Sequence, residues 1–168
     1  HRKVLEGVFK SFSSDLSFSK FCIIIDKLDK VGLDKVGELL KDAGLSNKDT
    51  CVIKELFLLQ GSFLDKKKYI SKLFNNTILN EGIDDLSFIF SKIESFEYDI
   101  PIKFDFSLAR GLDYYTGIIY EVIINDSKTV IAGGRYDKMI YKNLKKGKKY
   151  IPAIGVSFGI SRLFFFCQ

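Results

Sequence analysis

The chain is expected to fold as an α+β protein, a block of helices followed by a small antiparallel sheet. Three observations lead there. Through the first hundred residues apolar side chains recur at three-four spacing, the period of a helix with one buried face. After Pro101 the period shortens to two, as in a strand with one face buried. The punctuation changes as well, from Ser starts and Gly stops to an Asn-Asp-Ser-Lys turn and a Gly-Gly pair.

Val4, Leu5, Val8, Phe9 and Phe12 form the first helical stripe, and Phe21, Ile24, Ile25 and Leu28 the second, with Ser17 or Ser19 as its cap. A third helix is expected from about Leu33 to Ala43, stopped by Gly44. Ser46-Asn47-Lys48-Asp49 reads as a capping box with Asp in place of Glu, ahead of Val52, Ile53, Leu56 and Phe57. Gly61 closes that helix, and Ser62 to Asp65 repeats the start signal before Tyr69, Leu73 and Phe74. A last helix carries Ile83, Leu86, Phe90 and Ile93. Ile102, Phe104, Phe106 and Leu108 then alternate with polar or small residues as a first strand. Gly117 to Ile124 reads as a second, Thr129 to Ala132 as a third ended by Gly133-Gly134, and Pro152 to Ser157 as a fourth that leads into a helix from Phe158.

With 168 residues, 46% hydrophobic, sixteen Phe and two Pro, the chain has ample material for a core and no signature of disorder. A net charge of +5 permits an anionic partner, although a Lys-rich excess commonly serves solubility alone. Cys22, Cys51 and Cys167 lack metal-ligand or redox spacing, which points to a reducing compartment, the cytoplasm or an organelle matrix. With His1 as the single histidine, neither a His-based metal site nor a Ser-His-Asp triad is expected. No apolar run approaches the roughly 20 residues of a membrane span, and no membrane partner is expected. The chain opens on His1 and stops on an uncapped Phe164-Phe165-Phe166-Cys167-Gln168, so both ends read as cut from something longer.

Three clusters carry chemistry. Arg110 to Gly117 (Arg-Gly-Leu-Asp-Tyr-Tyr-Thr-Gly) sets a permanent cation, an acid and two phenols at a sheet end, with glycines that allow close backbone approach. Ala132-Gly133-Gly134-Arg135-Tyr136-Asp137 joins two adjacent glycines, which leave room for a substrate, to a hydroxyl that donates or accepts. Its plain structural reading is a glycine bulge and a helix start capped by Asp137. Pro152 to Leu163 alternates small and apolar residues and ends with Arg162 in the first turns of a helix, where the macrodipole disfavours a cation unless an anion faces it. Lys145, Lys146, Lys148 and Lys149 form a basic loop, most simply a solvated one.

In order, spacing and wording these clusters resemble the two histidine-specific signature segments and motif 3 of the histidyl-tRNA synthetases, a family of class II aminoacyl-tRNA synthetases. The resemblance covers nearly the whole chain. His1-Arg2-Lys3-Val4-Leu5 with Gly7 resembles the family's helix after motif 2, and Asp26-Lys27-Leu28-Asp29-Lys30 its next helix. It implies catalytic-domain helices over 1–32, a helical insertion domain over 33–97, and over 98–168 part of the class II antiparallel sheet with its signature segments.

The resemblance also implies roles. Arg110 is the expected catalytic residue and reaches both the histidine carboxylate and the ATP α-phosphate. Tyr114, Tyr115, Gly133, Gly134 and Tyr136 line the histidine pocket with it. Arg162 matches the motif 3 arginine that contacts ATP. Ser161 stands where that motif usually has Glu, and Lys138 where Gly often follows. Implied partners are histidine, ATP with Mg²⁺ as a substrate complex, tRNA(His), and a second copy of the parent protein in a homodimer; no tightly bound cofactor is implied. Motifs 1 and 2 and an anticodon-binding domain are absent from these residues, so the piece alone is expected to be inactive. The alternative readings are a non-catalytic, synthetase-like regulatory subunit of ATP phosphoribosyltransferase and the tRNA-sensing domain of a kinase. The intact Arg110 to Gly117 run and the helical insertion favour the synthetase.

Overall fold

The computed structural model describes residues 1–96, 100–109, 114–124, 128–143 and 151–166, with backbone alone for 141–143. It divides into two compact units, His1–Leu112 and Asp113–Gln168. The first is helical and the second is built on a sheet, so the chain is α+β as expected.

Among the described residues the first unit holds six helices: α1 (Arg2–Lys10), α2 (Phe18–Ile25), α3 (Leu28–Asp42), α4 (Asn47–Leu58), α5 (Phe63–Leu73) and α6 (Thr77–Glu94). Their starts follow side-chain chemistry. Ser17, Ser46, Ser62 and Asn76 each accept a backbone N–H from the first turn, at Lys20, Asp49, Asp65 and Leu79. At α5 the box is closed from both sides, since Asp65 also accepts the Ser62 N–H at 3.0 Å. Those bonds from Ser62, side chain first and backbone second, hold the Asp65 carboxyl below its ordinary range. Gly44 and Gly61, at φ 104° and 110°, take the left-handed conformation that ends α3 and α4. α3 is broken at Gly32, whose φ of 79° and ψ of 166° are not helical and suit glycine alone, so its longer part starts at about Leu33 as expected and a turn from Leu28 precedes it.

α1 packs directly on α6, and glycine sets how closely. A Cβ on Gly7 would fall 2.6 Å from the Leu79 backbone nitrogen, and one on Gly82 would fall 2.8 Å from that of Val4. Asn76 ties the pair, its Nδ2 donating to the Gly7 carbonyl at 2.8 Å while its Oδ1 caps α6. Around them lies a continuous core that includes Val4, Val8, Phe21, Ile25, Leu40, Ile53, Ile70 and Leu79. Phenylalanines knit its margins: Phe9 meets Phe21 at 4.9 Å between centroids, and Phe63 stacks on Phe90 at 4.4 Å.

The alternating segment after Pro101 is not a strand. Phe104 and Phe106 are buried, as the period of two requires, with rings 4.5 Å apart. No described segment pairs with it, however. The Phe104 carbonyl accepts Lys66 Nζ at 2.7 Å, and the Ser107 N–H turns back onto Asp105 Oδ1 at 2.7 Å. Alternating burial fixes where side chains point, whereas a strand also needs a ladder partner.

Among the described residues the second unit holds three antiparallel strands in the order β1 (Ile119–Ile124), β2 (Lys128–Arg135), β3 (Ile154–Phe158), with short helices α7 (Asp137–Asn143) and α8 (Ile160–Phe166). Gly133-Gly134 does not end β2, contrary to the sequence expectation. The strand runs through both glycines to Arg135, pairing Tyr120 with Gly133 on one side and Gly134 with Gly155 on the other. Glycine is tolerated here because neighbouring rings take the space a side chain would fill.

Candidate functional site

Register decides which signature residues meet. Ile119, Gly134 and Gly155 lie opposite one another across the three strands and so share one face; Tyr120, Gly133 and Val156 share the other. A Cβ on Gly134 would lie 2.8 Å from Tyr115 Cε1, and one on Gly155 would lie 2.8 Å from Tyr136 Cε1. Two phenol rings therefore rest on one face of the sheet, each seated on a glycine. On the opposite face Tyr120 covers Gly133, and its hydroxyl donates to the Gly155 carbonyl at 2.9 Å. The expectation that the paired glycines leave a substrate its room needs refining: they seat tyrosine rings, and a ligand would meet the rings.

Tyr114 lies against Tyr115, ring centroids 4.2 Å apart, and is the more exposed of the two. Burial, and after it the neighbouring Tyr114 hydroxyl, push the Tyr115 phenol well above its ordinary pKa. Burial raises that of Tyr120 too. Both rings thus stay neutral throughout the physiological range, able to donate and accept hydrogen bonds without acquiring charge.

The turn that follows β2 is held by a buried carboxylate. Asp137 Oδ2 accepts Arg135 Nε at 2.6 Å and its Oδ1 accepts the Ala153 N–H at 2.7 Å. The Tyr136 N–H donates to the Ala153 carbonyl at 2.8 Å. The Thr116 N–H donates to the Arg135 carbonyl at 2.8 Å, while Thr116 Oγ1 accepts the Asp137 N–H at 3.3 Å.

Arg162 sits at the far end of β2. Its Nη1 donates to the Thr129 carbonyl at 2.5 Å, and the Gly159 N–H donates to Val130, which docks the start of α8 on the strand. Thr129 is five residues from Gly134, so about 17 Å of strand separates this guanidinium's anchor from the tyrosine pair. The anionic company expected for Arg162 is here a carbonyl oxygen, and the side chain is exposed. Ser161 and Lys138 are exposed as well.

The structure brings Tyr115, Gly134 and Tyr136 to one sheet face with Tyr114 against Tyr115, puts Gly133 on the opposite face under Tyr120, and leaves Arg162 apart at the other end of β2. Arg110 lies outside the described residues, as do Gly111, Leu112, Asp113 and the lysines at 145, 146, 148 and 149. Sequence reasoning passed over Tyr120, Thr116 and Gly155. Tyr120 faces Gly133 only once the β1–β2 register is known, and the period of two does not supply a register. Among the described residues no group of three or more His, Cys, Asp or Glu is placed to hold a metal ion.

The profile of the histidyl-tRNA synthetase family matches residues 1–163. The mitochondrial histidine–tRNA ligase of Saccharomyces cerevisiae is 34% identical over 98% of the chain and 36% of its own length. That of Helicobacter pylori strain G27 is 39% identical over 97% of the chain and 38% of its length. The chain thus spans less than two-fifths of these relatives. The crystal structure of histidyl-tRNA synthetase from Nostoc sp. PCC 7120 superposes with a TM-score of 0.85 at 31% identity, over 98% of this chain and 40% of that one. A Bacillus halodurans structure described as an ATP phosphoribosyltransferase regulatory subunit/histidyl-tRNA synthetase gives a TM-score of 0.82 over 100% of the chain and 43% of its own, at 19% identity, a likeness of fold alone. With its profile match across both units and relatives at these identities, the chain belongs to the histidyl-tRNA synthetase family.

Proposed function

We propose that the longer protein to which this chain belongs joins histidine to ATP as histidyl-adenylate and passes the histidyl group to the 3′ end of tRNA(His). The observation that carries this reading is the pair of phenol rings, Tyr115 and Tyr136, seated on Gly134 and Gly155 on one sheet face of a chain of this family. A phenol hydroxyl beside an apolar ring suits an imidazole, which offers one donor and one acceptor when neutral. A site built to hydrogen-bond both nitrogens rejects amino acids of similar size that lack them.

In the first step a histidine carboxylate oxygen attacks the α-phosphorus of ATP, the bond from that phosphorus to the α,β-bridging oxygen breaks, and pyrophosphate leaves with that oxygen. Two anions must approach while negative charge gathers on the α-phosphate, so a fixed guanidinium is the fitting catalyst. That role is Arg110's by the family's signature, and Arg162, at the other end of β2, would serve the nucleotide. Mg²⁺ enters with ATP as part of the substrate. In the second step a terminal ribose hydroxyl of the tRNA attacks the acyl carbon and AMP departs. The homodimer, the split of the helical unit into catalytic-domain helices and an insertion domain, and a cytoplasmic or organellar site belong to the same proposal. In keeping with them, no described helix is long and apolar enough to cross a membrane, and the relatives include mitochondrial and cytoplasmic forms.

The test is histidine-dependent ATP–pyrophosphate exchange by the full-length protein. Arg110→Ala should lower the exchange rate by about 10²-fold or more, with a smaller loss of histidine affinity. No exchange by the unaltered protein would overturn the function, and a variant within about threefold of it would overturn the role of Arg110.

A further inference from the structure

We infer that Asp137 is a positioning residue for the amino-acid pocket, holding Tyr115 and Tyr136 at their set distance from each other. The inference rests on the reading that histidine binds against those two rings. Asp137 is 2% exposed, and both its oxygens serve partners outside α7: Arg135 Nε at 2.6 Å and the Ala153 N–H at 2.7 Å. Its own N–H reaches Thr116 Oγ1 at 3.3 Å. One residue thus ties three separate stretches of chain: the run that ends in Thr116 and Gly117, the end of β2, and the approach to β3.

Each tyrosine stands one residue from a tie to this group. Tyr115 precedes Thr116, whose N–H is bonded in turn to the Arg135 carbonyl at 2.8 Å. Tyr136 lies between Arg135 and Asp137, and its N–H meets the carbonyl of the same Ala153 whose N–H Asp137 holds. Ala153 leads two residues later to Gly155, the seat of the Tyr136 ring. A shift at Asp137 therefore moves Tyr136, its seat and Tyr115 relative to one another. The β2 ladder and the Arg162 anchor at Thr129 depend on other bonds. The effect should fall on the amino acid and spare the nucleotide, and since a displacement of about 1 Å can cost 10²-fold in rate, a change of one atom is enough to register.

Asp137→Asn keeps the shape and the acceptor for Ala153 but turns an N–H toward Arg135. In the full-length protein, pyrophosphate exchange is measured with histidine varied at saturating ATP and with ATP varied at saturating histidine. The KM for histidine should rise about tenfold while that for ATP stays within about twofold. Thr116→Val, which removes the acceptor of the Asp137 N–H without changing volume, should shift the histidine KM the same way by a smaller factor. If Asp137→Asn yields no folded protein, Thr116→Val decides the matter alone. An unchanged histidine KM overturns the inference. So does an equal rise for histidine and ATP, which would make Asp137 a structural residue only. Absence of exchange in the unaltered protein would instead fall on the proposed function, so the two failures are distinguishable.

Discussion

The helical unit and the sheet unit solve opposite problems. The first gathers much of its apolar material in one continuous cluster, with Phe21, Leu40, Ile70 and Leu79 fully enclosed, while Leu58, Phe88 and Phe96 among others stay exposed. In the second, Ile119 and Val130 are the large apolar residues buried among those described, whereas Val122, Ile123, Ile154, Val156, Phe158, Ile160, Phe164 and Phe165 are exposed. Its order comes from the strand ladder, from rings seated on glycines and from the buried Asp137. Every described residue assigned to chemistry lies in this second unit. A core tolerates little change in volume, so a site that must shape itself to a ligand gains from being built of backbone bonds and phenols outside one.

The contrast is sharpest where the core is fullest. Leu40, at 0% exposed, lies amid that cluster, and Leu40→Ala should cost the helical unit about 3 kcal/mol by lost transfer energy and the cavity left behind. Urea unfolding of the 168-residue chain followed by far-UV circular dichroism, which the helices dominate, reads this directly. A loss below about 1 kcal/mol would mean that the cluster gives way around the gap, and the two units would not differ as described.

The α1–α6 contact should respond less strongly. Ala is the better helix former by about 1 kcal/mol, so Gly82→Ala would stabilise an exposed helix. Here the new Cβ meets the Val4 backbone nitrogen at 2.8 Å, an atom that no rotamer change can move aside. Overpacking of this kind costs about 1–3 kcal/mol, so a net loss of about 1–2 kcal/mol is expected in the same assay. A gain in stability would show that the two helices part freely.

The same division separates what could be read in the residues from what could not. Helix ends are local chemistry: Ser46 and Ser62 before Asp49 and Asp65, and Gly44 and Gly61 after the stripes, announce themselves within four residues. The start of α6 at Asn76 was harder, because its cap also serves the Gly7 carbonyl sixty-nine positions away. The break at Gly32 shows in the pattern, between the stripe that ends at Leu28 and the helix expected from about Leu33, and it is the positive φ that calls for glycine, since a Cβ there would meet nothing within 4 Å. Strands are less local still. In the Ile102 to Leu108 pattern Phe104 and Phe106 alone are buried in alternation, without a ladder partner, and Gly133-Gly134 reads as a break until Tyr115 and Tyr120 are seen to occupy its space. The proposed pocket residues Tyr114, Tyr115 and Tyr136 were singled out by their family wording, whereas Tyr120 and the ties of Asp137 needed the register of three strands.

The smallest effect is expected on β3, and it probes the sheet unit from its bare side. Val156 shares the sheet face of Tyr120 and is 51% exposed, on a strand whose described ladder has β2 on one side only. Val156→Thr keeps the branched Cβ that suits a strand and exchanges a methyl for a hydroxyl that water can reach. In the 168-residue chain the change should lie within about 0.5 kcal/mol of zero, the range of surface substitutions, where Leu40→Ala costs several times as much. Tyrosine fluorescence during urea unfolding is weighted towards this unit, as the chain has no Trp and six of its eight Tyr lie after residue 112. The same substitution in the full-length protein sharpens the comparison. A buried Thr hydroxyl without a partner costs roughly 1–3 kcal/mol, so a loss of that size there, with none in the shorter chain, would mean that the longer protein covers this face. A loss above about 1 kcal/mol in the 168-residue chain itself would break the contrast, because it would give the sheet unit an apolar core of its own on the face described here as open.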